Sequence, residues 1–202
     1  EIAKTYNELS RICFMRSEFD RAVEYINDAL ALCHETNDQK MIARLQGNLG
    51  TILMLKDRWK EAEESLRVSL QANEALNDQI NICRSLLSLG NLSCLLRKFD
   101  KAEEYLERSL RLILENNFIR ELAIYHEYCG SMELTRGKLG IAYHHFEEAI
   151  KIGEQIAPKS AIISQAYRLL AELQTEKGEI ENALASCEKS LSASKGVGEK
   201  LE

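Results

Sequence analysis

Three basic residues recur at intervals of 40 positions, at Lys4, Arg44 and Arg84. Ammonium and guanidinium groups bind carboxylates through charge-assisted hydrogen bonds, which are stronger than hydrogen bonds between neutral groups. The chemistry that this spacing supports is the binding of an acidic peptide or another carboxylate, provided that the fold aligns the three side chains. Such a site would oppose the net charge of the whole chain, which is −6.

The other reactive residue types form no catalytic or metal-binding pattern. His144 and His145 are adjacent, and neighbouring helix residues point about 100° apart, so these two do not share a face. His34 and His126 are isolated in sequence. No nucleophile–base pair, phosphate-binding glycine loop or zinc-ligand spacing occurs. We therefore predict that the chain is not an enzyme and that it binds no metal and no cofactor.

Composition narrows the class of protein further. The acidic balance, with 26 Lys and Arg against 32 Asp and Glu, argues against a nucleic-acid-binding body. No apolar run approaches the ~18 residues of a membrane span. The six cysteines form no C-x-x-C pair, which is typical of small core residues in a reducing compartment. These features predict a cytoplasmic protein that contacts neither nucleic acid nor membrane.

An internal repeat organises the chain. The same small residue returns about every 40 positions, at Ala22, Ala62, Ala102, Ala142 and Ala183. A large apolar residue follows each alanine by eight positions, at Leu30, Leu70, Leu110, Ile150 and Leu191. A period of this length marks a stack of identical supersecondary units. We predict one continuous array over residues 1–202, with five repeats at about 3–36, 43–76, 83–116, 123–156 and 164–195.

Each repeat contains two helical patterns, termed A and B, separated by short polar turns such as Lys56-Asp57-Arg58. The junctions between repeats carry Asn37-Asp38, Asn77-Asp78 and Asn116-Asn117, and the fourth carries Pro158. Asn and Asp accept hydrogen bonds from free N–H groups at a helix start and tolerate turn conformations. Small residues on the A helices, such as Gly50 and Gly130, together with the alanines on the B helices, are expected to bring paired helices close together.

The repeat resembles the tetratricopeptide repeat (TPR), whose motif is W-x2-L-G-x2-Y followed by A, F and A, with a final P. The second repeat has the corresponding residues Leu49, Gly50, Leu53, Ala62, Leu66 and Ser69. The period is about 40 rather than 34, and the final proline is missing, which implies longer helices. This variant is similar to scaffolds that bind extended peptides and to sensor regions of large bacterial transcription activators. The resemblance implies an all-α fold, a right-handed α-solenoid of five helix-turn-helix repeats.

In TPR proteins the A helices line a groove, and the resemblance implies groove positions for nine residues: Lys4, Asn7, Arg11, Arg44, Asn48, Arg84, Asn91, Tyr128 and Arg168. Asn48 falls where such proteins often place an asparagine that binds the ligand backbone. The alternative is that these side chains are solvated or pair with acids such as Glu8. Glu127 and Glu172 share the groove phases, so the groove is expected to change sign along the chain.

These observations predict a scaffold domain that binds a protein or peptide ligand, with an acidic peptide favoured. The alternative is a small-molecule-sensing regulatory domain of a larger bacterial signalling or transcription-regulator protein. A third hypothesis, self-association into a homodimer, requires an exposed apolar stripe.

The ends of the chain bear on the same question. Apolar spacing is already running at Ile2 and Tyr6, so the chain is expected to be a fragment of a larger protein. TPR arrays usually end in a polar helix that covers the last stacking face. No such helix follows residue 195, so we expect the last repeat to expose apolar residues such as Leu169 or Ile180.

Overall fold

The computed structural model describes residues 1–157 and 160–198, with side chains as far as residue 195. These residues form ten α-helices and no strand, which confirms the predicted all-α solenoid class. The helices are α1 (Ile2–Met15), α2 (Phe19–Glu35), α3 (Gln39–Leu55), α4 (Trp59–Ala75), α5 (Gln79–Leu95), α6 (Phe99–Asn116), α7 (Ile119–Thr135), α8 (Leu139–Ile156), α9 (Ala161–Glu176) and α10 (Ile180–Gly198). None of these helices is both long and apolar enough to cross a membrane. Pro158, expected in the fourth junction, lies outside the described residues.

Eight of the described helices, α1 to α7 and α9, end at a residue in the left-handed region. The turns of the described part of the chain contain one such residue each, with φ between 52° and 77°, at Ser17, Asn37, Asp57, Asn77, Arg97, Asn117, Gly137 and Gly178. The following amide then reaches back across the last helical turn, as in the 2.9 Å hydrogen bond from the Glu18 amide to the Cys13 carbonyl oxygen. This bond satisfies a carbonyl that the helix end leaves free. Asn, Asp and Gly tolerate this conformation best, and they occupy six of these eight positions, with Ser17 and Arg97 at the other two.

Helix starts agree with the expected caps at two junctions and differ at the third. The Asp38 carboxylate accepts from the Met41 amide at 3.0 Å, and the Asp78 carboxylate accepts from the Asn81 amide at 3.3 Å. At the third junction Asn117 takes the left-handed conformation instead, and Phe118 precedes α7 without a side-chain cap. Both asparagines are used to end α6, so none remains to begin α7.

The helices group into two compact units: unit 1 comprises residues 1–96 and contains α1 to α5, and unit 2 comprises residues 97–202 and contains α6 to α10. In unit 1 the core lies between A and B helices, and Ile26 and Leu45 are completely buried. In unit 2 Phe146 and Leu173 are completely buried in the same way. Each unit therefore buries apolar side chains between successive helices rather than around one centre.

Close approach of paired helices depends on glycine, as the sequence predicts. A Cβ atom at Gly50 would lie 2.6 Å from the Leu66 side chain, and one at Gly130 would lie 2.5 Å from the Phe146 ring. The reciprocal alanines of the B helices are fully buried at Ala22, Ala62 and Ala142. The small residues therefore set the distance between the helices of a pair.

The two apolar residues expected to be exposed in the last repeat behave differently. Ile180 is 55% exposed, as expected, but Leu169 is only 6% exposed. The expectation for Leu169 is wrong because this residue belongs to the core cluster of unit 2 around Phe146. The exposed apolar residues of the last repeat lie on α10.

Replacing Gly130 by alanine is expected to destabilise the protein. The added methyl group must displace the buried Phe146 ring, and overpacking of this kind costs about 1–3 kcal/mol. Alanine improves helix propensity by at most ~1 kcal/mol, so the net change is a loss of stability. A urea titration measures it through the unfolding midpoint.

Gly140→Ala is the matched control, because a Cβ atom at Gly140 meets no heavy atom within 4 Å. This variant is expected to raise the free energy of unfolding by about 0.5–1 kcal/mol. Equal shifts for the two variants would contradict the glycine-mediated contact with Phe146.

Candidate binding groove

A groove opens along the A helices of unit 1. Its volume is about 480 Å³. It is lined from α1, α3, α4 and α5 by Asn7, Glu8, Arg11, Ala43, Arg44, Gly47, Asn48, Thr51, Leu66, Ser69, Asn73, Asn81, Arg84, Ser85 and Ser88. These residues define the unit 1 groove. Nearly all of them carry polar or very small side chains, so the groove is suited to hydrogen bonding rather than to binding an apolar ligand.

Five of the nine predicted site residues come together in this groove: Asn7, Arg11, Arg44, Asn48 and Arg84. Two others from the same repeats do not line it. Lys4 is exposed and pairs with Glu1 at 3.0 Å, and Asn91 is half-buried on α5. Tyr128 and Arg168 lie in unit 2.

The groove arginines differ in how far their charge is neutralised. Arg11 forms an ion pair with Glu8 at 2.8 Å, which is the pairing expected under the alternative interpretation. Arg44 is exposed and makes no hydrogen bond or ion pair with another described residue. Arg84 is exposed on the next A helix. Because three arginines face one glutamate, the lining carries a net charge of +2.

Two asparagines connect α1 and α3 across the groove. The Nδ2 of Asn48 donates to the Oδ1 of Asn7 at 3.0 Å. Asn7 is only 7% exposed, whereas Asn48 is exposed. The bond uses one donor of Asn48 and leaves its Oδ1 without a partner among the described residues. The amide at Asn48 can therefore still accept from the backbone of a ligand.

Three buried polar residues, Ser69, Asn73 and Ser85, form the groove floor. The Ser69 hydroxyl donates to the Ala43 carbonyl oxygen at 2.8 Å. The Nδ2 of Asn73 donates to the hydroxyl oxygens of Ser69 and Ser85, at 3.3 Å in each case. A Cβ atom at Gly47 would lie 3.1 Å from the Ser69 Oγ, so the glycine leaves room for this hydroxyl.

The groove floor is not among the predicted site residues. Ser69 is a TPR motif position, and Asn73 and Ser85 belong to no motif. A signal was present, because Ser65, Ser69 and Asn73 follow one another at intervals of four on α4 and are all buried. Polar residues at the spacing of a buried helix face indicate a hydrogen-bonded network rather than a solvated surface.

The predicted groove residues of unit 2 have a different character. Arg168 is exposed and pairs with Glu172 at 3.4 Å. Glu127 is 8% exposed, and burial raises its pKa to about 7, although the charge of Arg168 acts in the opposite direction. Tyr128 is half-buried, and burial raises the pKa of its phenol. The predicted groove residues of unit 2 are therefore less acidic than expected near neutral pH, because Glu127 is partly protonated there.

His126 and His145, which looked unrelated in the sequence, meet in unit 2. Their Nδ1 atoms lie 3.0 Å apart, with His126 on α7 and His145 on α8. Burial, followed by the charge of His145, lowers the pKa of His126 to about 4, and burial also lowers the pKa of His145. The described residues contain no group of three or more potential metal ligands of the His, Cys, Asp and Glu types. The pair is therefore a neutral polar contact between two packed helices.

Comparison with models of known protein families identifies the family of this chain. Residues 9–196 match the model of the MalT-like TPR region. The chain belongs to this family. A search of curated protein sequences finds no match to this chain.

Solved structures share the fold of this TPR region at low sequence identity. The apo form of RapI is 16% identical, with a TM-score of 0.65 over 94% of this chain and 53% of the RapI chain. BtubC from P. vanneervenii is 19% identical, with a TM-score of 0.63 over 89% of this chain and 72% of BtubC. MamA from residue 41 to its end, from Desulfovibrio magneticus RS-1, is 16% identical with a TM-score of 0.52, and 96% of each chain is covered. The TPR region thus spans about half the length of RapI.

The histidine pair is expected to make the stability of this TPR region depend on pH. The pKa of an unfolded histidine is near 6.5, whereas burial lowers the pKa of His126 in the folded protein to about 4. At this group the unfolded state therefore binds more protons below pH 6.5, and the contribution of His126 to stability falls as the pH drops toward 4. The slope for one such group is at most about 1.4 kcal/mol per pH unit. Urea titrations between pH 7.5 and pH 4.5 measure it.

His126→Leu should lose the histidine contribution, so its stability relative to the wild type should rise as the pH drops, whereas His34→Gln, at an exposed histidine on α2, should follow the wild type. Glu127 contributes a slope of opposite sign, because its raised pKa stabilises the folded state at low pH, and this stabilisation is lost between pH 4.5 and about 7. The difference between the wild type and His126→Leu isolates the histidine contribution. An unchanged slope in His126→Leu would show that the pair is not responsible.

Proposed function

We propose that the chain is a recognition domain that binds an extended acidic segment of a partner protein in the unit 1 groove. The observation that carries the proposal is the convergence of Arg11, Arg44 and Arg84 from three successive A helices on one groove. With Glu8 included, the groove lining carries a net charge of +2, whereas the whole chain carries −6, so the groove is a localised basic region. Complementary charge steers association and selects the partner.

The amides and hydroxyls of the groove supply the second part of recognition. The Oδ1 of Asn48 and the Oδ1 of Asn73 accept no hydrogen bond from other described residues, so each can accept from a ligand N–H group. An extended peptide presents such groups along its whole length. The proposed ligand therefore aligns its carboxylates with the arginines and its backbone with the amides.

A small-molecule ligand is the second candidate, and the size of the groove favours it. Pockets for small molecules typically measure about 300–1,000 Å³, and the unit 1 groove measures about 480 Å³. Under this second hypothesis the chain is the sensing region of a larger regulator. In both versions it is a cytoplasmic binding domain of a longer bacterial protein and has no catalytic role.

Replacing Arg44 and Arg84 together by alanine is expected to weaken the binding of acidic peptides by about 2- to 30-fold. Ion pairs at exposed positions contribute roughly 0.2–1 kcal/mol each, and 1.4 kcal/mol corresponds to a factor of ten. The measurement is fluorescence anisotropy with peptides selected from a library rich in Asp and Glu. Binding to the wild type should also weaken as salt is added, because exposed charges are screened.

The matched control is the double variant Arg21→Ala and Arg67→Ala, which removes the same charge from unit 1. Both arginines are exposed, pair with neighbouring glutamates and lie outside the groove lining. Equal affinity for the wild type and both double variants, at low and high salt, would exclude the basic groove. Shortening the peptide separates the two candidates, because affinity should fall stepwise with length only if an extended ligand spans three A helices.

A further inference from the structure

Another groove opens in unit 2, between the B helices α8 and α10 and next to the A helix α9. Its volume is about 750 Å³, and none of the nine predicted site residues lines it. The described charged residues of its lining are Glu147, Glu148, Glu154, Glu179, Lys151 and Lys189. These residues, with Tyr143, Tyr167 and Gln174, define the α8–α10 groove. Four carboxylates against two ammonium groups give it a net charge of −2, opposite in sign to the unit 1 groove.

The opening of the α8–α10 groove does not depend on its place in the last repeat. A cavity of about 240 Å³ occupies the corresponding position one repeat earlier, between α6, α7 and α8. This earlier cavity stays open although α9 and α10 follow it in the chain. A further repeat beyond α10 would therefore leave the α8–α10 groove open as well.

The charges at the base of the two cavities differ. In the earlier cavity the buried carboxylate of Glu133 pairs with Arg136 at 2.9 Å and with Lys138 at 3.1 Å. The residues that correspond to these three in the next repeat are Gln174, Lys177 and Glu179. The earlier cavity therefore neutralises its base with cations of its own chain. In the α8–α10 groove an uncharged amide takes the place of the buried carboxylate, and a carboxylate takes the place of one cation.

Two carboxylates of the α8–α10 groove have no ion pair within the described part of the chain. Glu148 and Glu179 each pair with a lysine, at 3.1 Å and 3.4 Å. Glu147 and Glu154 are exposed and make no such pair. The Tyr167 hydroxyl donates to Oε1 of Glu154 at 3.0 Å, which orients that carboxylate. These two acids therefore remain available to a cation from outside.

The tyrosine rings beside these acids lie in contact with ammonium groups of the chain. The Nζ of Lys189 lies 5.1 Å from the centroid of the Tyr167 ring, and the Nζ of Lys177 lies 5.2 Å from that of the Tyr143 ring. Both distances are within the ~6 Å of a cation–π contact. A cation that enters the groove thus meets aromatic faces and carboxylates together, which favours it over a neutral or anionic group.

The base of the groove presents a hydrogen-bond donor. Gln174 is only 7% exposed, and its Oε1 accepts from the Ser186 hydroxyl at 2.8 Å. Its Nε2 lines the groove and donates to no other residue that the structure describes. A buried N–H group without a partner favours a ligand that brings an acceptor to it. The backbone carbonyls of a peptide are such acceptors, whereas a protonated polyamine has none.

We propose that the α8–α10 groove binds a short basic segment of a partner protein. Lysine or arginine side chains of the segment pair with Glu147 and Glu154 and lie against the tyrosine rings. A backbone carbonyl oxygen of the segment accepts from the Nε2 of Gln174. This ligand is opposite in charge to the one proposed for the unit 1 groove, so the two sites take different segments and are tested separately.

Fluorescence anisotropy with a short labelled peptide of alternating Arg and Gly tests the proposal. Replacing Glu147 and Glu154 together by glutamine should weaken binding by about 2- to 30-fold, the range for two exposed ion pairs. The matched control is Glu24→Gln with Glu64→Gln, at exposed glutamates of α2 and α4, which should bind like the wild type. Failure of the wild type to bind the peptide, equal affinity for the wild type and the groove variant, or equal losses in both double variants would overturn the proposal.

Gln174→Met distinguishes a peptide from a polyamine, because methionine keeps the length of the side chain and removes the amide. This variant should weaken binding of the peptide by about 2- to 10-fold, as expected for one hydrogen bond, and should leave the affinity for spermine unchanged. Circular dichroism verifies that the variant remains helical. Unchanged affinity for the peptide, together with tighter binding of spermine than of the peptide, would overturn the proposal in favour of a polyamine site.

Discussion

Every helix pair in this chain has more apolar surface than its two helices can cover for each other. Gly50 and Gly130 allow one face of the pair to close, against Leu66 and Phe146. The other face is buried only when the next A helix packs on it, as Ile42 and Ile52 of α3 do in the cluster that contains α2. Stacking is therefore a requirement of the sequence. The regular arrangement of A helices that lines the groove follows from it.

The turns make this stacking regular. From α1 to α7, one left-handed residue about every 20 positions ends each helix after nearly the same number of residues. Equivalent side chains on successive A helices therefore keep the same phase. Arg44 and Arg84 line one groove because 40 residues separate them, which is one full repeat. Lys4 has the same spacing but is held by Glu1 at the start of α1, so spacing alone does not determine which side chains line the groove.

The parts predicted from the sequence are those that the repeat encodes. The sequence repeats the helix pairs, the turn positions and the small residues between paired helices. Because each of these features recurs, it can be predicted from the sequence. The groove floor and the contact between His126 and His145 occur once, between residues whose neighbours depend on how the helices pack. Leu169 was misassigned for the same reason, since its burial depends on the cluster around Phe146. Groove positions for Asn7, Arg11, Arg44, Asn48 and Arg84 came from the resemblance, because helix phase alone does not identify the surface that a helix face borders.

The groove floor also has a consequence for what the domain rejects. Ser69, Asn73 and Ser85 are buried, and Asn73 retains a carbonyl oxygen that no described residue satisfies. A leucine or phenylalanine side chain that packs on this oxygen would exclude water from it and donate no hydrogen bond. The unpaired oxygen would lower the binding free energy of such a ligand by about 1–3 kcal/mol. A ligand with a donor at that point avoids the penalty. Discrimination between ligands of similar charge would then be determined by one donor group, and a sequence that carries enough acids but a bulky apolar residue at that point would be excluded.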